Sequence, residues 1–216
     1  MGRRERQRTV QSTTYKLCSL LLSYPDLELI DSRPLLSGVV EELPSTPARG
    51  ALERFCAWWC GEDPLALQQH YVHTFDLAKR CCLYLTFYGE GDRRERGTAL
   101  LRLKRLYRTA GLPLEGSELP DYLPAMLEFA AAAPSGQGAI VLREHRAALE
   151  LVRLSLREHG TPYADVLDAV CLTLGGLSAA ERSRAVKLAA GGPPQELVGL
   201  EPFAPPEVMP ATEARR

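Results

Sequence analysis

The chain has no apolar run near the roughly 18 residues that a membrane-spanning helix needs, so no stable membrane association is expected. Arg3, Arg4, Arg6 and Arg8 open it, but Gln11, Ser12, Thr13, Thr14 and Lys16 follow where an export signal would have an apolar stretch. Arg3-Arg4 therefore does not read as a working twin-arginine signal, and the expected location is cytoplasmic. Charge of one sign is also missing. Lys and Arg number 26 against 27 Asp and Glu, a net charge of -1. That excludes the basic footprint of a general nucleic-acid binder, and no nucleic-acid partner is expected. Histidine is scarce: His70, His73, His145 and His159 are all there are, and none sits in a catalytic motif. Gly89-Glu90-Gly91 and Gly175-Gly176 do not continue into a phosphate loop or a dinucleotide fingerprint. We expect no catalytic residue, no cofactor and no enzyme.

Six cysteines are present, and in a reducing compartment they read as free thiols. Cys56 and Cys60 are four apart and His70 and His73 three apart, which imitates a Cys2His2 set. The interval between the pairs is wrong for a zinc finger, however, and Cys56 lies on the apolar stripe of Leu52 and Trp59. Core thiols and surface histidines are the plainer reading, with no metal ligand. Cys81-Cys82 lacks the C-x-x-C spacing of a redox pair. A thiol- or metal-based sensor built on these cysteines is the alternative from a different class.

What the chain does have is helical periodicity nearly throughout. Ala99, Leu100, Leu103, Leu106, Tyr107 and Ala110 fall on one face, Arg102, Arg105 and Arg108 on the other, with Asp92 as a cap and Gly111 as a left-handed stop. Thr46-Pro47, Asp63-Pro64 and Thr161-Pro162 each read as a cap followed by proline at the first helical position. Further helices are expected over about 12–23, 26–41, 121–132, 138–159 and 178–190. Cys82 to Tyr88 alternates like a strand but has no partner, so it reads as a helix start or an extended connector. The result is an all-α fold of about eight or nine helices. The expected organisation is a disordered basic segment at 1–9, one helical domain at 10–190 and a proline-rich extended or mobile tail at 191–216. The basic run Arg93, Arg94, Arg96, Arg102, Lys104, Arg105 and Arg108 reads first as the solvated face of one helix.

Two passages stand apart. Tyr71-Val-His-Thr-Phe75-Asp76 leads into Cys81-Cys-Leu-Tyr-Leu-Thr-Phe-Tyr88, and Glu118-Leu-Pro-Asp121-Tyr122-Leu-Pro-Ala-Met126 follows. Together with Tyr24-Pro25-Asp26, Gly91-Asp92 and Val198-Gly-Leu-Glu-Pro-Phe203, they make the chain resemble the nitrate reductase assembly chaperones, the NarJ family of the TorD-like superfamily. The resemblance runs from about residue 15 to 203. It has one departure: Tyr122, which supplies a ring and a hydroxyl, stands where the wider group has histidine, and any proton-linked role of the site turns on that exchange.

The resemblance implies a single TorD-like helical bundle. It also implies a cytoplasmic chaperone that binds the N-terminal segment of the nitrate reductase catalytic subunit, delays membrane docking and assists molybdenum cofactor insertion. A chaperone of another molybdoenzyme is the nearest alternative, and a monomer or weak dimer is expected. An apolar groove between helices would receive the peptide as an amphipathic helix. Tyr71 and Phe75 would line it, with Leu119, Pro120, Tyr122 and Met126 opposite and with Asp76, Glu118 and Asp121 facing basic residues of the peptide. The plainer alternative makes the aromatics core and Asp121 the cap of the helix after it. Leu200 and Phe203 could bring the tail over that groove.

Overall fold

Two of the three cap-and-proline signals set helix starts; at the third, Pro162 is itself the residue before the helix Tyr163–Leu174 rather than its first, and the Thr161 hydroxyl meets His70 at 2.7 Å. Thr46 Oγ1 accepts the Arg49 N–H at 3.2 Å, and Pro47 opens the helix Pro47–Gly61. Asp63 Oδ1 accepts from Leu65 at 2.9 Å and Ala66 at 3.3 Å, and Pro64 opens Pro64–Tyr71. These caps satisfy amides that a helix start otherwise leaves unpaired. A computed structural model describes residues 2–90, 94–114 and 116–190. Among them lie twelve α-helices: α1 (Arg3–Leu21), α2 (Leu27–Asp31), α3 (Arg33–Glu42), α4 (Pro47–Gly61), α5 (Pro64–Tyr71), α6 (Leu85–Glu90), α7 (Arg94–Thr109), α8 (Leu123–Ala132), α9 (Gln137–Glu144), α10 (Arg146–Glu158), α11 (Tyr163–Leu174) and α12 (Ala179–Ala190). A π-turn, Val72–Leu77, continues α5. The described residues form no sheet, only one isolated antiparallel bridge between Tyr84 and Tyr122. The expectations for Gly91-Asp92, including the Asp92 cap, and for the 191–216 tail lie outside the described residues.

The helix count exceeds the expected eight or nine because two long helices are divided and because Leu85–Glu90, in the segment read as a helix start or connector, forms α6. The 26–41 stretch breaks at Ser32, whose Oγ donates to the Leu29 carbonyl at 2.6 Å. Pro34 has no N–H to continue the ladder and instead opens α3. The 138–159 stretch breaks at His145, whose Nδ1 lies 3.0 Å from the Val141 carbonyl that its own backbone N–H also uses. His145 is thus a junction and not a mid-helix residue. At the N-terminus α1 begins at Arg3, inside the segment read as disordered. Thr9, Thr13 and Thr14 donate their hydroxyls to the carbonyls four residues back at 3.1, 3.0 and 2.8 Å, so their side chains are satisfied within the helix itself.

α11 is the centre of the fold. Val166, Leu167, Ala169 and Val170 are fully buried, and α1, α4, α9 and α10 pack around the helix. α1 lies along α8, where Ser19 donates to the Pro124 carbonyl at 2.8 Å and Lys16 pairs with Glu128. α8 and α9 approach so closely that a Cβ on Gly138 would sit 2.1 Å from the Ala130 Cα. Gly111, with φ of 77°, ends the α7 segment in the left-handed conformation expected of it. α12 packs on α10 and buries none of its own residues.

Candidate functional site: an aromatic and acidic face

The two distinctive passages meet at the Tyr84–Tyr122 bridge. The Leu85 N–H donates to the Asp121 carbonyl at 3.0 Å, and the Leu123 N–H donates to the Leu83 carbonyl at 2.8 Å. This short clip sets the Tyr84 and Tyr122 rings side by side, centroids 5.3 Å apart. Tyr71 comes up beneath Tyr122 from the end of α5. Its hydroxyl lies 3.0 Å from both the Leu22 carbonyl and the Tyr122 hydroxyl. A carbonyl can only accept, so Tyr71 gives its one proton to Leu22 and Tyr122 donates to Tyr71. Burial raises the pKa of both phenols, so this chain of hydroxyls stays protonated at neutral pH.

The π-turn holds Phe75 4.8 Å from both the Tyr71 and the Tyr163 rings. Tyr24 meets Tyr71 edge-on at 5.5 Å and is 45% exposed. Above this floor Tyr84 donates to Glu118 Oε1 at 3.0 Å, and the Leu119 N–H donates to the same oxygen at 2.9 Å. Burial, then this bond to Glu118, raises the Tyr84 phenol. Asp76, exposed on the π-turn, lies near enough to act electrostatically on both Tyr71 and Tyr122.

The structure therefore gathers Tyr71, Phe75, Asp76, Glu118, Leu119 and Tyr122 on one face. Three of the residues selected with them, Asp121, Met126 and Pro120, sit elsewhere. Asp121 is 0% exposed and faces inward. Its Oδ2 accepts from the Thr86 hydroxyl at 2.6 Å and the Thr86 N–H at 3.3 Å, and lies 3.5 Å from Arg96 Nη2. Arg96 Nε in turn donates to the Thr86 hydroxyl at 3.2 Å, and its guanidinium lies over the Phe87 ring. Asp121 thus caps the start of α6, not of α8, and its charge is held by Arg96 inside the fold rather than facing a partner. Met126 is 0% exposed, so in this conformation it packs in the core and lines no open groove. Pro120 is buried, its carbonyl taking the Tyr107 hydroxyl at 2.7 Å.

Sequence reasoning passed over Tyr24, Tyr84, Thr86, Arg96 and Tyr163 as site residues. The period-two pattern after Cys82 was the available signal, because it puts Tyr84 and Thr86 on the same side of an extended segment. Arg96 was hidden in a basic run whose other described members are exposed.

The cysteines and histidines form a separate story. Burial pushes the Cys56 and Cys81 thiols up to about 11 and Cys171 up to about 12, and Cys18 is raised as well. Such thiols are protonated at neutral pH and poor nucleophiles. His70 meets the Thr161 hydroxyl at 2.7 Å and stacks on Tyr163, while His73 stacks on His159. Cys60 Sγ lies 3.2 Å from Ser37 Oγ, and among the described residues no three His, Cys, Asp or Glu side chains come together as metal ligands. Two apolar clefts lie away from the aromatic face. One, of about 520 Å³, runs between α1, α3 and α8; the other, of about 410 Å³, lies between α6, α7, α10 and α12.

The twelve helices around α11, with the aromatic and acidic face at the Tyr84–Tyr122 bridge, define an all-α helical bundle. Its fold matches that of an Archaeoglobus fulgidus crystal structure described as a redox enzyme maturation protein. The TM-score is 0.54 at 23% identity, covering 82% of this chain and 93% of that one. The chain belongs to the nitrate reductase delta subunit family, whose model matches residues 41–169. It is 36% identical over 80% of its length to a Bacillus subtilis protein, covering 94% of that protein, which is described as a nitrate reductase molybdenum cofactor assembly chaperone, NarJ. It is 32% identical to the NarJ chaperone of Escherichia coli K12, over 70% of this chain and 65% of that one. It is also 37% identical over 74% of its length to the nitrate reductase-like protein NarX of Mycobacterium tuberculosis H37Rv, of which it spans 24%.

Proposed function

We propose that this chain is a cytoplasmic assembly chaperone of respiratory nitrate reductase, acting by binding and not by catalysis. It holds the N-terminal segment of the catalytic subunit, prevents premature docking on the membrane partner and keeps the subunit open while the molybdenum cofactor, the client's own group, is inserted. The observation that carries the reading is the match to nearly the full length of the Bacillus chaperone. The aromatic face gives it a physical mechanism. Tyr24, Tyr84 and Tyr122 offer partly exposed rings over a rigid hydroxyl-bonded floor, and aromatic rings contribute large contact area at low entropic cost. Asp76 and Glu118 stand beside them and orient a basic residue of the peptide. A rim ion pair contributes below about 1 kcal/mol, so the rings supply affinity and the acids supply register.

The test is calorimetric titration with a peptide from the N-terminus of the catalytic subunit. Saturable binding is expected, weakened by Tyr122→Ala about tenfold or more and by the pair Asp76→Asn and Glu118→Gln only severalfold. A peptide that fails to bind the folded protein, or binds all variants alike, would sink the reading. Tighter binding of the N-terminal peptide of a different molybdoenzyme would move the assignment to that client.

A further inference from the structure

The cleft between α6, α7, α10 and α12 belongs to neither the aromatic face nor the core. Its floor is apolar, built from Leu85, Leu103, Ala147 and Leu188, and its volume of about 410 Å³ is that of a ligand cleft. Its rim is basic. Arg102 is neutralised by Glu144 at 2.5 Å, but Arg184 and Lys187 have no acidic partner among the described residues. Two unpaired cations beside an apolar floor fit a segment that carries both carboxylates and large apolar side chains.

The chain contains such a segment. Residues 191–214 hold Glu196, Glu201, Glu207 and Glu213 with no Lys, Arg or His. Within them, Glu196-Leu197-Val198-Gly199-Leu200-Glu201-Pro202-Phe203 interleaves two acids with four large apolar residues. The tether is short. Lys187 and Leu188, on the last turn of α12, line the cleft themselves. Leu200 lies ten residues past Ala190, a contour of at most about 33–36 Å. A ligand tethered at that distance meets its site at an effective concentration on the order of millimolar, so even weak intrinsic affinity fills it.

We propose that residues 196–203 dock in this cleft, with Leu200 and Phe203 on the floor and Glu196 and Glu201 against Arg184 and Lys187. The docked segment clamps α12 onto α10 and leaves the aromatic face free. The proposal does not depend on the identity of the client.

Hydrogen exchange on the full-length protein tests it. In a Leu200→Asp, Phe203→Asp chain, amides of α12 and of α6 should exchange about tenfold faster, while the global unfolding midpoint stays unchanged because no folded element is altered. Arg184→Glu with Lys187→Glu should have the same effect, and adding Glu196→Lys with Glu201→Lys should restore protection. Unchanged exchange in the tail variant would overturn the proposal, as would failure of the charge swap to restore it. Protection lost instead at residues 71–77 and 118–122 would mean that the segment covers the aromatic face, and would equally overturn it.

Discussion

Replacing Asp121 by alanine would leave Arg96 beside Thr86 and Phe87 with no carboxylate and remove the cap of α6. Hydrogen bonds to a charged group contribute about 1.5–3 kcal/mol each, so Asp121→Ala should lower the urea midpoint by a loss of that size. An undiminished midpoint would show that the Asp121 carboxylate does not hold Arg96 and the start of α6 in place. Thr86→Val tests the same site more gently, since it removes the hydroxyl that bridges acid and base at nearly constant volume. Gly138 is the second sensitive position. Its Cβ would collide with the Ala130 backbone at 2.1 Å, and backbone cannot rotate aside as a side chain can. Gly138→Ala should therefore cost about 1–3 kcal/mol through overpacking and lower the melting temperature, whereas Gly176→Ala, with open space around it, should not. At this scale the sequence was only partly legible. Tyr71, Phe75, Glu118 and Tyr122 could be selected in advance because the motif order marks them. The inward turn of Asp121 could not, because it depends on Arg96, 25 positions earlier in the chain.

Helix starts were readable because a cap and a proline act locally: Thr46-Pro47 and Asp63-Pro64 satisfy their own first turn. The breaks at Ser32 and His145 were not, since apolar periodicity continues across both. Charge tells the elements apart in another way. On α10, Arg146 and Glu150 are buried and meet at 2.8 Å, and Arg153 joins Glu150 at 2.7 Å and Asp168 of α11 at 3.1 Å. The Arg102–Glu144 pair between α7 and α9 is exposed at both ends. Removing one member of a buried network strands the rest, so Glu150→Ala should destabilise by about 3–5 kcal/mol, and Glu144→Ala by less than about 1 kcal/mol. Equal losses in chemical denaturation would contradict the burial of the α10–α11 network. The junction of α5 with the loop before α11 adds a pH dependence. Burial, and then His159 and His73, lower the pKa of His70, while Glu62 opposes the shift. A histidine with a depressed folded pKa binds its proton more readily when unfolded, so stability rises with pH through the window below the ordinary value near 6.5 and falls as pH drops through it. His70→Gln should flatten that slope. A slope unchanged in the variant would assign it to other groups.

At the scale of the molecule, the all-α class followed from periodicity alone, whereas one domain or two could not be decided from length. The mid-chain loop at 112–120, rich in proline and glycine, could have been a linker. It is instead drawn into the fold, because Tyr107 donates to the Pro120 carbonyl and the 118–122 segment is clipped to 83–86. Helices from before and after the loop share one buried cluster: α1 packs on α8 and α11, and α4 packs on α11. Phe55, Trp58, Phe75 and Tyr71 from the first half all meet the Tyr163 ring of the second half within 6 Å. A core shared this way has no intermediate in which one half keeps its buried surface while the other gives it up. Tryptophan fluorescence, which reports the Trp58 and Trp59 environment on α4, should therefore unfold with the same midpoint and slope as far-UV circular dichroism, which reports every helix. Only α12, with no buried residue of its own, is expected to open earlier, as a local event in hydrogen exchange. Two separated transitions would instead divide the chain at the 112–120 loop. The aromatic face, built from both sides of that loop, would then exist only when two units are docked, and peptide affinity would be lost at the first transition rather than at the last.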